Sequence, residues 1–206
     1  MPTVTFMNLS QEKKDKIIKA AKKEFSRVPI SEVLIKNIVE EAEIARGSFY
    51  QYFESKEDLL KFLLTEEMEK VDEVAIRILE ETSGDIFEVY IGMYDFFMNH
   101  NINEEDKKFH KKVLENVRTS DESFYILKNF MNEEIKGPFQ KSEIISKINK
   151  SKLKIKDEKD LERLIKMLFI VTKNAMVKSF KYNSPQEARE EYIKMIEILK
   201  YGIYRK

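Results

Sequence analysis

Apolar residues recur at intervals of three and four along most of this chain, the period of helices that each turn one face to a core. The first such stretch follows Ser10, expected as its N-cap, and runs to about Arg27 with Ile17, Ala20, Ala21 and Phe25 on the inner face. Pro29 breaks it. A second helix is expected from Ser31 or Glu32 to Glu41, capped by Ser31, and a third from about Arg46 to Tyr52. From Ser55 the period is unbroken to Glu81, through Leu59, Leu60, Leu63, Met68, Val71, Ala75, Ile78 and Leu79, and Ser83-Gly84 ends it. Helices are then expected over 85–99, 104–118 and 122–136, the last stopped by Gly137-Pro138, before a short helix and a lysine-rich exposed loop within 139–156. Two long helices close the chain. One covers 158–181. The other starts at Ser184-Pro185-Gln186-Glu187, which supplies an N-cap, a first-position proline and a capping glutamate.

The pattern predicts an all-α fold, and composition changes little. Five glycines and four prolines in 206 residues are too few for the turns that sheets need. The absence of cysteine excludes disulfides, thiolate catalysis and cysteine-held metals. No apolar run approaches the roughly 20 residues of a membrane span. The first residues carry no basic cluster ahead of a long apolar stretch, so a signal peptide is not expected and a cytoplasmic protein is.

Residues 38–60 carry the densest chemistry. Ile38, Val39 and Ala42 share a helix face, Ile44 closes a turn beneath it, and Ala42 is small where two helices must cross. Arg46, Gly47 and Ser48 open the next helix, where backbone N–H groups face outward and favour an anion. Gly47 leaves that backbone open to close approach. Phe49 and Phe53 anchor the short helix in the core, leaving Tyr50, Gln51 and Tyr52 to point elsewhere. Ser55 and Asp58 then make a capping box with Lys56 in the first turn, a seat for a phosphate. This is the order of a helix-turn-helix DNA reader followed by a backbone clamp.

The stretch also resembles, position by position, the DNA-binding motif of the tetracycline-repressor (TetR) family. The resemblance runs through Ile38-Val39, Ala42, Ile44, Gly47, Tyr50, Tyr52-Phe53, Lys56 and Leu59-Leu60, within a likeness over residues 10–64. It departs before the second helix, where Val28-Pro29-Ile30 and Leu34 replace the usual glycine and hydroxyl residues. The resemblance implies a DNA-binding domain over 1–54 and a helical ligand-binding and dimerisation domain over 55–206. It implies a homodimeric regulator, most simply a repressor, on a palindromic double-stranded operator, released by a small effector. A regulator of the same fold governed by a protein partner is the alternative. No cofactor, metal or membrane partner is expected.

Candidate DNA contacts follow. Tyr50, Tyr52, Lys56 and the Gly47 backbone are assigned to phosphates, with Lys36 on the same side. Gln51, and Ser48 beside it, are assigned to base edges, and Arg46 to a base or a phosphate. Lysines and arginines equal acids at 37 each, yet Lys13, Lys14, Lys16, Lys19, Lys22 and Lys23 crowd the first helix, so a basic face is expected within a neutral chain, with Glu40, Glu41 and Glu43 turned away from DNA. The apolar band on the last two helices is wider than one covered face requires. In the resembled family these helices form a four-helix dimer interface, which implies Leu168, Thr172, Ala175, Met176, Tyr192, Ile196 and Leu199 here. The expected effector lining is Phe87, Tyr90, Met93, Tyr94, Phe97, Phe109, His110, Phe124, Tyr125, Met131 and Phe169, suited to an apolar ligand with a small polar handle. An enzyme is not expected: His100 and His110 are the only histidines, and neither a zinc-binding histidine pair nor a glycine-rich phosphate loop is present.

Overall fold

A computed structural model describes residues 2–98, 104–119, 142–179 and 184–202. Every regular element among them is helical: α1 (Val4–Met7), α2 (Gln11–Arg27), a 3-10 turn (Ile30–Glu32), α3 (Ile35–Glu41), α4 (Arg46–Tyr52), α5 (Lys56–Glu81), α6 (Ile86–Met98), α7 (Glu104–Thr119), α8 (Ser142–Lys147), a second 3-10 turn (Lys150–Lys152), α9 (Glu158–Ser179) and α10 (Pro185–Tyr201). The helix expected over 122–136 lies outside the described residues.

The packing forms two compact units, residues 1–69 with 100–134 and residues 70–99 with 135–206. The boundary expected after residue 54 separates sequence motifs, whereas these units place the first half of α5 and all of α7 with α1–α4. In the first unit Ile17, Ala20, Ala21 and Phe25 of α2 meet Ile38, Val39, Phe49, Phe53, Leu59, Leu60 and Leu63 in one core. Phe109 joins that core from α7, which lies along α2.

Helix α1 is too short to leave a periodic signal, and it was not among the expected elements. Its cap, Thr3, donates from its N–H to the Tyr52 carbonyl at 3.0 Å and from its hydroxyl to the Gln51 carbonyl at 2.6 Å. Those carbonyls end α4 and have no partner within the helix. Phe6 then seals the junction, fully buried, with its ring 4.7 Å from Phe53 and 5.2 Å from Phe62.

The start of α3 differs from the expected Ser31 cap. Residues 30–32 form the separate 3-10 turn, and α3 begins three residues later, after Leu34. The buried Glu24 carboxylate replaces a local cap: it accepts from the Leu34 N–H at 3.1 Å and Asn37 Nδ2 at 3.0 Å, and pairs twice with Arg27 at 2.8 Å. The Arg27 bonds are the largest influence on Glu24 and, with those from Leu34 and Asn37, hold its carboxyl below the usual range despite burial.

In the second unit α6, α9 and α10 pack together. Gly92 of α6 faces Ile78 of α5 with no room for a Cβ. Gly84 has φ +84°, and a Cβ there would sit 2.5 Å from the Asn149 nitrogen, so the 147–152 segment closes on the α5–α6 turn because that residue is glycine.

Candidate nucleic-acid interface

Helices α3 and α4 are joined by a turn built on Ala42 and Glu43. Ala42 is buried, the Ile44 N–H reaches back to the Val39 carbonyl at 3.0 Å, and Glu43 takes φ +56°, the left-handed conformation that ends a helix with a tight reversal. Phe49 and Phe53 are fully buried, as their spacing predicts, and they orient the rest of α4. Arg46, Gly47, Tyr50 and Gln51 are exposed and Ser48 is half-buried. A Cβ at Gly47 would meet nothing within 4 Å, so the backbone there stands open.

Two expected contacts are placed differently. Tyr52 is 4% exposed, its ring against Phe6, whereas Tyr50 is 50% exposed. Two positions, about 200° of helix, carry the Tyr52 side chain from the Tyr50 face round to Phe6 of α1. Lys56 sits in the first turn of α5, where Ser55 Oγ accepts from the Asp58 N–H at 3.2 Å and Asp58 accepts from the Glu54 N–H at 3.3 Å. Its ammonium, however, donates to the Ser31 carbonyl at 2.7 Å and the Val33 carbonyl at 3.1 Å. Lys56 thus fastens the turn before α3 to the start of α5.

The basic face on α2 is smaller than the lysine count suggests. Lys16 pairs with Glu43, Lys23 with Glu41 and, on α3, Lys36 with Glu40, so the three glutamates sit among the lysines. Lys22 is buried. Its ammonium lies 2.8 Å from Glu67 and 2.5 Å from Asp106, and Glu67 also meets His110 Nε2 at 3.0 Å. Burial is the largest single influence and would lower the Lys22 pKa, but the bonds to Asp106 and Glu67 raise it above the ordinary value. Burial likewise pushes Glu67 up, and hydrogen bonds from His110 and Lys22 outweigh it, holding that carboxyl far below its usual range. The periodicity of α2 marks the Lys22 position only as polar, so nothing local in the sequence announces this cluster.

The expected effector lining divides. Phe109 and His110 belong to the first unit, in the core and the ionic cluster respectively. Tyr90 and Tyr94 are buried with their hydroxyls engaged, Tyr90 to the Ile165 carbonyl at 3.1 Å and Tyr94 with Ser179 at 2.5 Å. Met93 and Phe87 are buried, and Phe97 and Phe169 are half-buried. Phe124, Tyr125 and Met131 lie outside the described residues.

Of the residues expected between subunits, Leu168, Thr172, Ala175, Met176, Tyr192 and Ile196 are already buried within one chain, and Leu199 is half-buried. Tyr192 stacks on Tyr94 at 4.4 Å, donates to the Tyr90 carbonyl at 2.9 Å and bonds Thr172 at 2.8 Å. The uncovered apolar side chains of α9 and α10 are others: Met167, Ile170, Met195, Ile198 and Tyr201. Their spacing of three is the same helical period, read one stripe over.

No helix among the described residues is long and apolar enough to cross a membrane. Residues 17–63 match the family of bacterial regulatory proteins, tetR family, and residues 85–203 match a tetracyclin repressor-like C-terminal domain. No curated protein matched the sequence. Among solved structures, the fatty acid degradation regulator FadR of Bacillus halodurans is 17% identical over 97% of this chain and 100% of its own, with a TM-score of 0.60. A putative fatty acid metabolism regulator of Clostridium perfringens is 19% identical over 93% and 100%, with a TM-score of 0.60. FadR of Bacillus subtilis, solved in complex with stearoyl-CoA, is 16% identical over 93% and 100%, with a TM-score of 0.55. Such identities speak for the fold, and the two family matches, together covering the helix-turn-helix and most of the remaining helices, place this chain in the TetR family of transcriptional regulators.

Proposed function

We propose that this regulator is a homodimer that binds a palindromic operator as a repressor and leaves it when a small, largely apolar effector binds. The observation that carries the DNA reading is α4, where buried Phe49 and the C-cap Phe53 leave Arg46, Gly47, Tyr50 and Gln51 exposed together. Gln51 and Arg46 have the donor and acceptor groups to read base edges, with Ser48 beside them. Tyr50, the open Gly47 backbone and Lys36 serve phosphates. Lys56 has a third ammonium proton for a phosphate after its two carbonyl bonds, and buried Tyr52 little of its side chain.

The exposed stripe of Ile170, Met195 and Ile198 supports dimerisation through α9 and α10. Two α4 helices held that way would enter successive major grooves about 34–36 Å apart. A DNA target supports a cytoplasmic location.

The effector reading is supported by the neighbours that regulate fatty acid metabolism, one of them holding stearoyl-CoA. Long-chain acyl-CoA is therefore the effector class to test. The coupling element is α5, a single helix whose residues 56–69 belong to the first unit and 70–81 to the second. It spans about 39 Å at 1.5 Å per residue, and a helix without a break transmits a tilt from end to end. The engaged hydroxyls of Tyr90, Tyr94 and Tyr192 favour a second reading, in which the second unit answers to a protein partner.

Fluorescence anisotropy of a selected operator, titrated with stearoyl-CoA, separates the two. The effector reading expects release with a reciprocal loss of ligand affinity on DNA of about 5–150-fold, abolished by a Gly-Gly insertion between Glu69 and Lys70. Identical ligand affinity with and without operator contradicts it.

A further inference from the structure

The α5–α6 turn, the chain on either side of the second 3-10 turn, the first turns of α9 and the last turn of α10 surround an open cleft of about 690 Å³, wholly within the second unit. Its floor is apolar. Ile86 and Phe87 are buried, and Leu153, Ile155, Leu164 and Leu199 stand half-buried around them.

Its wall is cationic, with Lys152, Lys154, Arg163 and Lys200 against the carboxylates of Asp85 and Asp160. Both carboxylates are already engaged: Lys200 Nζ lies 2.8 Å from Asp85, and Arg163 lies 2.6 Å from Asp160. Lys152 and Lys154 have no carboxylate partner among the described residues, and the Lys152 ammonium gives one hydrogen bond, to the Thr82 carbonyl at 2.9 Å. The cleft therefore joins half-buried apolar surface to two ammonium groups whose charge no side chain among the described residues balances. Its volume is that of an ordinary small-molecule site.

We propose that this cleft binds a small anionic amphiphile, with an aliphatic chain laid on Phe87, Leu164 and Leu199 and an acidic head held by Lys152 and Lys154. The chain displaces water from surface that the fold leaves half-covered, and the head supplies the charge that Asp85 and Asp160 do not. Ligand chemistry of this kind can come from a free fatty acid or from an acyl thioester of a phosphorylated carrier. The proposal rests on the effector reading for its ligand class, but the two fail separately, because occupancy is read on the protein alone and needs no DNA release.

The test uses the full chain with 13C-methyl methionine, since Met167 lines the cleft whereas Met93 and Met176 are buried in the core of the same unit. Met167→Leu identifies the Met167 resonance. Decanoate and decanoyl-CoA are titrated in separate arms, with decanol as the uncharged control. The expected result is a saturable shift of the Met167 methyl with one or both anions, at least tenfold tighter than with decanol. Lys154→Glu, at an exposed position that leaves the fold unchanged, should weaken it about tenfold, and Leu164→Trp should abolish it. Decanoate alone shifting Met167 assigns the free acid, and decanoyl-CoA alone assigns the thioester. The proposal is overturned if neither anion shifts Met167, if Met93 or Met176 moves while Met167 does not, if decanol binds as tightly, or if Lys154→Glu binds like the wild type.

Discussion

The two units treat polar groups in their interiors in opposite ways. The first unit buries charge: Lys22, Glu67 and His110 meet inside it, with Asp106 at the edge. Apart from the Asp72 carboxylate, the second buries neutral hydroxyls, Tyr90, Tyr94, Tyr192, Thr172 and Ser179, each satisfied by a carbonyl or another hydroxyl. Breaking a buried ion pair costs about 3–5 kcal/mol, whereas removing one partner of a buried neutral hydrogen bond costs about 1–3 kcal/mol. On the proposed function, the difference suits a first unit that presents α4 in one geometry and a second that changes state with its effector.

The sharpest way to break the comparison is to remove Glu67. Glu67→Ala leaves the Lys22 ammonium and His110 without their shared carboxylate, and thermal unfolding should show a loss of about 3–5 kcal/mol. A loss below about 1 kcal/mol would mean that water already reaches the cluster. The same carboxylate gives a pH signature. Its folded pKa is depressed, so its stabilisation is present above the unfolded value near 4.3 and disappears as pH falls toward the folded value. The unfolding midpoint of the wild type should drop below about pH 4.3, and that of Glu67→Gln should fall less steeply.

Next in size is a contrast between two stripes of α10. Ile196→Asp puts a charge in the core of one chain and should cost several kcal/mol of folding stability, seen by circular dichroism. Ile198→Asp, half-exposed two positions on, should leave the fold intact and shift sedimentation from dimer to monomer at micromolar concentration. A folded, dimeric Ile198→Asp protein would move the interface elsewhere. On the hydroxyl side, Tyr192→Phe should lower stability by only about 1–2 kcal/mol, since it forfeits two neutral hydrogen bonds without stranding a charge. The smallest effect is expected at Glu43. Glu43→Gly relieves a left-handed backbone and should stabilise by up to about 1 kcal/mol in chemical denaturation, unless the lost contact with Lys16 offsets it.

Those contrasts also show what was legible in the sequence. Periodicity located most of the described helices to within a residue or two, α1 and the start of α3 excepted, because each long helix buries one face and period reports burial. The helix-turn-helix was legible for a further reason: Ala42, Gly47, Phe49 and Phe53 each answer a local geometric demand. Period does not report what covers a buried face. Leu168, Ala175, Tyr192 and Ile196 were rightly apolar positions, but their cover lies within the chain, and the uncovered stripe is offset from them. Phe109 and His110 fall in the other unit for a related reason, since α7 lies between segments of the second unit in sequence yet packs on α2. The caps by Glu24 and Thr3 span ten and forty-eight residues, beyond any local motif.

The central claim, that α4 reads base sequence for a two-fold protein, is tested most directly by selecting bound sites from random duplex DNA with purified wild-type protein and Gln51→Ala in parallel. The account predicts that the wild type enriches a palindrome whose half-site centres are about 10–10.5 base pairs apart, and that Gln51→Ala changes the preferred base at one position of each half-site. Enrichment of no sequence by the wild type, or of the same palindrome by both proteins, would contradict it.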